Sequence, residues 1–363
     1  MQSNMKELYA IAQRFAFEGT IKDIAPLGEG FINDTFIVTT DCRRYILQRK
    51  NHLVFPDVAA MMDNIARVTA HLKSKVEAMG GDPMREVLTV VPTIDGKLYQ
   101  TEDENFWAAC LYIEGSVTHD KADTPRLAYM GGKGIGRFQA LLTDFNEPLA
   151  EVIKGFHNMR WRFEQWDKAL REDSAKRKDE VREEIAHVMS RRAPMLEFWS
   201  MVERGELPMR VTHNDTKISN ILFDQEDEVL CVIDLDTVMS STSLNDFGDA
   251  IRSYTNTGKE DDTDLSRVSM DIDIFRNYAE GYLSERGASM TATEREWLAF
   301  SALYITFEQY LRFLMDYIDG DTYYKTAYPT HNLVRARAQL RLLQSMEEQY
   351  ADMQRIIKEL TAK

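Results

Sequence analysis

One stretch of the chain reads Val211-Thr212-His213-Asn214-Asp215-Thr216-Lys217-Ile218-Ser219-Asn220 and has the spacing H-x-D-x-K-x-x-N. Two short apolar runs follow, at residues 220–223 and 229–233, on either side of the acidic turn 225–228. This pattern predicts a small β-hairpin that ends at Asp234. The hairpin interrupts a helical periodicity that begins near Pro125 and continues towards the C-terminus.

The spacing is that of a protein-kinase catalytic loop, and each polar residue suits phosphoryl transfer. Asp215 is the candidate base, which aligns an acceptor hydroxyl and takes its proton. Asn220 and Asp234 are candidate Mg²⁺ ligands, since both offer oxygen atoms. Lys217 is predicted to steady the charge on the γ-phosphoryl group, and His213 to brace the loop through its ring nitrogens. These residues predict a kinase that uses ATP and Mg²⁺.

The N-terminal part has the pattern of a sheet. Three runs rich in β-branched and aromatic residues, at 21–27, 31–40 and 44–48, are separated by turn signals and predict a β-meander. A helix is predicted from Pro56-Asp57, and two further strands at 87–91 and 106–113 complete a sheet of about five strands. Together these predictions describe an α+β, protein-kinase-like bilobal fold. A small antiparallel-sheet lobe at residues 1–113 binds the nucleotide, and a mainly helical lobe at 114–363 binds the substrate.

The nucleotide site is expected on this sheet. The turn between the first two strands holds Gly28, Gly30 and Asn33, and its glycines permit positive φ and a close approach to phosphates. Adenine is expected against apolar residues and the connector after the last strand, namely Leu27, Ile37, Ile46, Leu222 and Leu111–Ile113 with Tyr112.

The third strand has Gln48 where protein kinases have a lysine that binds phosphates. Gln48 shares a strand face with Ile46, whereas Arg49 points to the other face. A neutral amide cannot supply the positive charge. Either the strand bulges and brings Arg49 to this face, or another cation substitutes, with Lys50 and Arg67 as the candidates.

Composition limits the partners. The formal net charge of −15 disfavours a nucleic-acid partner. Three widely spaced cysteines, Cys42, Cys110 and Cys231, suit reduced thiols. The N-terminus has charges within an amphipathic helix pattern, and no apolar stretch reaches the roughly 20 residues of a membrane span. A cytoplasmic protein is expected, and the sequence makes no prediction of its oligomeric state.

Two motifs resemble phosphate or metal sites but are interpreted as structural. Asp246-Phe247-Gly248-Asp249 is predicted to lie in a loop that enters a helix and to tether the catalytic loop by hydrogen bonds. The glycine run at residues 131–136 lies within a helical pattern and lacks a preceding strand. It is predicted to allow close helix packing.

With these residues the chain resembles the aminoglycoside-phosphotransferase and choline-kinase superfamily. The segments that match its N-acetylhexosamine-phosphorylating branch extend over nearly the whole chain: 28–33, 45–48, 210–217, 233–237, 312–314 with Tyr317, 320–321, 328–329 and 331–335. The resemblance implies transfer of the ATP γ-phosphoryl group to the anomeric hydroxyl of N-acetylglucosamine or N-acetylgalactosamine. It further implies that Arg312 and Tyr323 contact the sugar.

Several alternatives stay open. Arg312 could instead form an ion pair with Asp316, four residues along a helix. Asp236, assigned as a substrate contact, could also bind the metal or orient a neighbour. The acceptor could be an amino alcohol or an aminoglycoside, and the fold could serve a non-catalytic nucleotide-binding regulator.

Overall fold

The computed structural model describes residues 2–28 and 32–362. Gly30, predicted to contact the nucleotide, lies outside the described residues. Contacts group the chain into two compact units that are not continuous in sequence. The first comprises the residues up to Thr118 together with Leu141–Lys154 and Asn220–Ser240, and the second comprises His119–Ala140, Gly155–Ser219 and the residues from Ser241 onward.

The first unit contains an antiparallel six-stranded sheet. Its strands are β1 (Ile21–Pro26), β2 (Asp34–Thr40), β3 (Arg44–Lys50), β4 (Val90–Val91), β5 (Gln100–Glu102) and β6 (Asn105–Leu111). The order is β1-β2-β3-β6-β4, with β5 paired to β6. The predicted meander is confirmed, but the expected number of strands was too low. β5 was missed because its three residues are polar and show no apolar alternation.

Strand β3 separates a core face from a polar face. Tyr45 and Leu47 are 3% and 0% exposed and pack with the amphipathic helix α1 (Gln2–Ala12), which was predicted. Because successive side chains point to opposite faces, Ile46, Gln48 and Lys50 lie on the other side of the sheet. The same first unit contains helices α2 (Val58–Ala78) and α3 (Pro83–Glu86). As predicted, α2 begins after Asp57, whose side chain accepts a hydrogen bond from the Ala60 N–H.

The predicted hairpin is confirmed in the first unit. It consists of β8 (Ile221–Phe223) and β9 (Val229–Val232), with Ile221 directly opposite Val232. The Ile233 N–H donates to the carbonyl oxygen of Asn220 at 2.9 Å. Residues on either side of this pairing, Asn220 and Asp234, are therefore held close to each other.

The second unit is mainly helical, as predicted. Its longest helix is α9, with 28 residues, which packs against α5, α7, α10 and α11 and has a capping box at Thr291 and Glu294. The elements of this part of the chain are α4 (Pro125–Leu141), α5 (Met159–Glu172), α6 (Arg182–Glu203), β7 (Met209–Thr212), β10 (Met239–Thr242), α7 (Leu244–Tyr254), α8 (Ile272–Arg286), α9 (Ala292–Asp319), α10 (His331–Glu348) and α11 (Tyr350–Thr361).

The glycine run lies inside α4 and packs against α8, which confirms its structural interpretation. A Cβ atom on Gly132 would lie 2.1 Å from the carbonyl oxygen of Tyr278, and one on Gly136 would lie 2.5 Å from that of Tyr282. No side chain fits between these backbones. The glycines therefore set the distance between the two helices.

The cysteines and the hydropathy of the helices bear on two predictions from composition. Cys42, Cys110 and Cys231 are all free thiols. Among the described residues, every helix is too short or too polar to span a lipid bilayer.

Candidate active site

The catalytic loop begins directly after β7, and side chains of helix α7 form hydrogen bonds with its backbone. The two carboxylate oxygens of Asp246 accept hydrogen bonds from the His213 N–H at 3.0 Å and the Asn214 N–H at 2.7 Å. Asp249 accepts one from the Thr216 N–H at 2.8 Å. The predicted tether is thus confirmed. The predicted loop is wrong, because both aspartates lie within α7, whose N-terminal turns point towards the loop.

Burial affects the two tethering carboxylates differently. Asp246 is fully buried, and burial raises its pKa despite the charge of His213. Burial would also raise the pKa of Asp249, but Arg252 and His157 outweigh it and lower that pKa. Arg252 forms an ion pair with Asp249 at 2.9 Å. Both groups are therefore fixed parts of the loop's support and are not exposed to an acceptor.

Asp215 lies at the centre of the loop. Its N–H donates to Nδ1 of the buried His213 at 3.2 Å, which agrees with the bracing role predicted for that histidine. The Asp215 carboxylate forms an ion pair with Lys217 at 3.0 Å, and the two side chains are 29% and 40% exposed. The candidate base and the candidate phosphoryl-steadying cation are therefore neighbours in reach of solvent.

The hairpin brings the two candidate metal ligands together. Asp234 lies two residues after the end of β9 and has φ +60°, a left-handed conformation that is costly for a non-glycine residue and is often found at functional sites. Asn220 and Asp234 line the same cavity of the first unit. One carboxylate and one carboxamide oxygen are hard donors, and Mg²⁺ bound to phosphates needs only one or two such protein ligands. The residues present thus fit Mg²⁺.

That cavity has a volume of about 460 Å³ and is formed by the polar face of the sheet, helix α2 and the hairpin. Of the residues predicted to bind the nucleotide, it is lined by Leu27, Gly28, Ile46, Gln48, Leu111, Tyr112, Ile113 and Leu222. Gly28 has φ +67°, as the turn prediction required. Ile37, which lies opposite Ile46 on the neighbouring strand, is not among the residues that line the cavity.

Lys50 also lines the cavity and is 5% exposed. Its Nζ donates to both carboxylate oxygens of Asp236, at 2.7 and 2.9 Å, and to Oε1 of Gln48 at 2.7 Å. Arg67 instead contacts Asp63 and Glu147 and does not line the cavity. Of the two cations left open by the sequence, Lys50 is the one that faces the candidate nucleotide site.

Asn33 and Asp236 form hydrogen bonds within the first unit. The Asn33 side-chain amide donates to Asp236 at 2.8 Å, and its Oδ1 accepts from the Asn51 N–H at 3.1 Å. Both ends of Asn33 are therefore used inside the protein. Asp236 lines the cavity, and its contacts favour the role of orienting a neighbour, here Lys50.

A second cavity, of about 230 Å³, lies in the helical unit and contains the predicted sugar contacts Arg312 and Tyr323. The alternative ion pair between Arg312 and Asp316 is not formed. Asp316 is turned towards backbone N–H groups and accepts hydrogen bonds from Thr322, Tyr323 and Tyr324 and from the Asn332 side chain.

Arg312 has no carboxylate within ion-pair distance among the described residues. Its guanidinium carbon lies 5.4 to 5.7 Å from the ring centroids of Tyr324 and Tyr323. Burial alone would lower the pKa of Arg312, but both tyrosines and Glu308 outweigh it and raise that pKa. The second cavity therefore contains a charged guanidinium without a carboxylate partner.

The sequence prediction missed other residues that line the second cavity. Arg162, Gln165, Asp319 and Tyr324 are among them. The sequence could have indicated Arg162, because this residue lies among apolar positions of a helix, and those positions predict burial. Without the packing of α5 against α9, nothing in the sequence connects Arg162 to Arg312.

Comparisons with known proteins show the family and the fold of this chain. A model of the phosphotransferase enzyme family matches residues 23–288. Similar solved structures include spectinomycin phosphotransferase in complex with ADP and spectinomycin, with 13% identity, coverage of 95% of this chain and 98% of that one, and a TM-score of 0.61. Amicoumacin kinase in complex with AMP-PNP, Ca²⁺ and Ami has 13% identity, coverage of 95% and 96%, and a TM-score of 0.59.

A choline kinase from Cryptosporidium parvum has 12% identity, coverage of 99% and 100%, and a TM-score of 0.56. At these identities the likeness concerns the fold. It confirms the predicted protein-kinase-like fold, with an antiparallel sheet in the N-terminal part and helices in the C-terminal part.

Proposed function

The chain belongs to the phosphotransferase enzyme family, and from that premise we propose that it transfers the γ-phosphoryl group of ATP to the anomeric hydroxyl of an N-acetylhexosamine. The product would be the 1-phosphate of N-acetylglucosamine or N-acetylgalactosamine, which makes the protein an N-acetylhexosamine 1-kinase. One observation carries the proposal: Asn220, Asp234 and Lys50 line one cavity, and Asp215 precedes Asn220 by five residues on a tethered loop.

The first cavity suits ATP. Its walls are mostly apolar, as adenine requires, and the charged residues among the described lining are Lys50, Asp234 and Asp236. The Tyr112 N–H donates to the Arg44 carbonyl oxygen, whereas the Ile113 N–H has no acceptor among the described residues. In the proposal the Ile113 N–H binds adenine and Lys50 binds the phosphates. Two of the similar structures are complexes with ADP and with AMP-PNP, which supports the choice of nucleotide.

In the proposed reaction, the anomeric oxygen of the sugar attacks the γ-phosphorus, and the bond to the β-phosphate's bridging oxygen breaks. Asp215 aligns the hydroxyl and accepts its proton, and ADP leaves. Lys217, which pairs with Asp215 in the described structure, would turn towards the transferred group and steady its charge. Mg²⁺ held by Asn220 and Asp234 would neutralise phosphate charge when bound.

The acceptor is proposed to bind in the second cavity. Arg312 and Arg162 supply donors for sugar oxygens, and the rings of Tyr323 and Tyr324 can pack against a pyranose face. Among the described residues that line the cavity, the carboxylates are Asp316, which accepts hydrogen bonds from backbone N–H groups, and Asp319. Arg162 is paired with Glu308, but Arg312 has no carboxylate within ion-pair distance among the described residues. The charge of Arg312 disfavours a cationic acceptor, so an uncharged sugar is favoured over an amino alcohol or an aminoglycoside.

A cytoplasmic location belongs to the same proposal, because ATP and the free thiols suit a reducing compartment.

Two isosteric substitutions test the assigned roles. Asp215→Asn should keep Mg-ATP binding but lower turnover by roughly 10²- to 10⁴-fold, the usual contribution of a general base. Asp234→Asn should weaken the Mg²⁺-dependent part of ATP binding as well. Nucleotide titrations with and without Mg²⁺ and steady-state rates measure both. Glu226→Gln, in the exposed turn of the same hairpin, is the matched control. Equal and mild effects of both substitutions would contradict the assignment.

A further inference from the structure

A chain of three buried polar residues connects the second cavity to the catalytic loop. Arg162 Nε donates to Glu308 Oε1 at 2.9 Å, and Glu308 Oε2 lies 2.6 Å from Nδ1 of His157. The other ring nitrogen of His157 lies 3.4 Å from the carbonyl oxygen of Asn214, the residue before Asp215. We propose that Arg162, Glu308 and His157 are positioning residues that couple the acceptor cavity to the orientation of Asp215. This inference rests on the proposed function.

Helix α9 supplies one side of this chain. Tyr304, Glu308 and Arg312 recur every four residues and therefore lie on one face of the helix. The Tyr304 hydroxyl donates to the His157 carbonyl oxygen at 2.7 Å and accepts from the Met159 N–H at 3.2 Å. His157 has φ +58°, so these bonds hold it in a conformation that is costly for a non-glycine residue.

Glu308 is the centre of the chain and is 1% exposed. Burial alone would raise the pKa of Glu308, but His157 and Arg162 outweigh it and hold that pKa well below its ordinary value. Both carboxylate oxygens are used, one by each partner. Buried ion pairs contribute little to stability compared with apolar packing, so a role in fixing geometry is the better reason for this arrangement.

At the loop end, the peptide between Asn214 and Asp215 is held on both sides. Its carbonyl oxygen faces His157, while its N–H donates to Nδ1 of His213. Asn214 itself has φ +66°, and its own N–H is bound by Asp246. The His157 contact, at 3.4 Å, is the longest of these bonds. It is therefore the contact most sensitive to a shift of Glu308.

At the cavity end, Arg162 has one nitrogen on Glu308 and another, Nη1, 3.1 Å from Oε1 of Gln165. Both Arg162 and Gln165 line the cavity, next to Arg312. An acceptor oxygen that binds Arg162 competes with these bonds and redistributes them. Because the bonds are contiguous, such a change reaches the Asn214 carbonyl through only two side chains, Glu308 and His157.

The test is a double-mutant cycle on the full chain with Arg162→Gln, His157→Asn and both together. Asparagine tolerates positive φ, which suits position 157. Three quantities are measured: the Kd of Mg-ATP, the rate of ATP hydrolysis without sugar, and kcat with N-acetylglucosamine. Rates are expressed per mole of ATP-binding protein, so partial unfolding cannot imitate a loss. Arg160→Gln, on the exposed side of α5 and paired with Glu203, is the control.

Each single substitution should lower kcat about tenfold, within the usual range of coupling between sites, and leave the Kd of Mg-ATP within about twofold. The double variant should lose little more than the worse single variant, because the residues act in series. Glu308→Gln, which keeps the shape of the side chain, should reproduce the loss. The inference would be overturned if kcat of the double variant fell about a hundredfold, which is the product of two independent effects. It would also be overturned if the single variants had the same kcat as the control.

The two proposals fail separately. If the wild-type protein leaves the sugar unchanged, the proposed acceptor is wrong. The double-mutant cycle is then evaluated from the rates of ATP hydrolysis. If sugar is phosphorylated and the effects multiply, only the coupling is wrong. A wild type that binds Mg-ATP and neither hydrolyses it nor phosphorylates the sugar overturns both.

Discussion

Lys50 is the residue that we propose in place of the missing third-strand lysine. The third strand has Gln48 at the position that faces the nucleotide in protein kinases, but Lys50 lies two residues further on the same face. Its ammonium group contacts Gln48 and Asp236, so both neighbours direct it into the cavity. The positive charge needed at the phosphates is thus present in the first unit.

Removal of this charge should weaken nucleotide binding. Lys50→Met alone would leave Asp236 buried without its ion-pair partner, which typically costs about 3–5 kcal/mol of stability. The double variant Lys50→Met/Asp236→Asn removes both charges and should bind Mg-ATP at least about tenfold more weakly, a change of about 1.4 kcal/mol.

Titration of Mg-ATP by isothermal calorimetry measures the effect. Arg49→Met is the matched control, because Arg49 is on the same strand, points to the other face and pairs with Asp34. An unchanged Kd in the folded double variant would mean that Lys50 serves only as the partner of Asp236.

At the residue scale the motif made its candidates easy to select, and the roles of these candidates stay predictions. Asp215, Asn220 and Asp234 follow a spacing that few other sites share, so the sequence alone proposed them. The choice between Lys50 and Arg67 required the phase of β3 and the position of α2. Glu308 was missed because its partners, Arg162 and His157, are about 150 residues away in sequence.

At the scale of the elements, the close contact of α4 with α8 requires that the glycines of α4 have no Cβ atom. The glycine run permits a backbone approach that any side chain would prevent. A Cβ on Gly132 would meet the carbonyl oxygen of Tyr278, which is backbone and cannot rotate away.

Gly132→Ala should therefore destabilise the protein, although alanine is the better helix former. Overpacking typically costs about 1–3 kcal/mol, which is equal to or larger than the gain of up to about 1 kcal/mol in helix propensity. Urea unfolding gives the free energy. In Gly287→Ala, the control, the new Cβ would contact only the Leu283 side chain at 3.7 Å, and little change is expected. A Gly132→Ala variant as stable as the wild type would show that α4 and α8 move apart at no cost.

Element prediction succeeded where the periodicity was strong. The meander, α2 and the hairpin followed alternating or helical apolar patterns and began at turn or capping residues such as Asp57. The prediction missed strand β5, because its three residues are polar and form a strand only by pairing with β6. Asp246 and Asp249 were predicted in a loop that enters a helix, but both lie within α7, where Gly248 packs closely on the Ser301 backbone.

For the whole molecule, the family and the fold follow from the chain, while the acceptor depends on side chains in the helical unit. The formal net charge of −15 does not by itself select a cationic acceptor. The lining of the second cavity is a better guide, because Arg162 and Arg312 face it and Asp316 is bound by backbone N–H groups. The central claim is therefore the identity of the acceptor.

Phosphorus NMR of the reaction products tests this claim most directly. The protein is incubated with Mg²⁺ and ATP and, separately, with N-acetylglucosamine, N-acetylgalactosamine, glucose, choline and kanamycin, alongside the Asp215→Asn variant. The account predicts a new sugar 1-phosphate signal with at least one N-acetylated sugar and no such signal with the variant. Phosphorylation of choline or kanamycin in place of both N-acetylated sugars, or no product from any acceptor despite bound ATP, would contradict it.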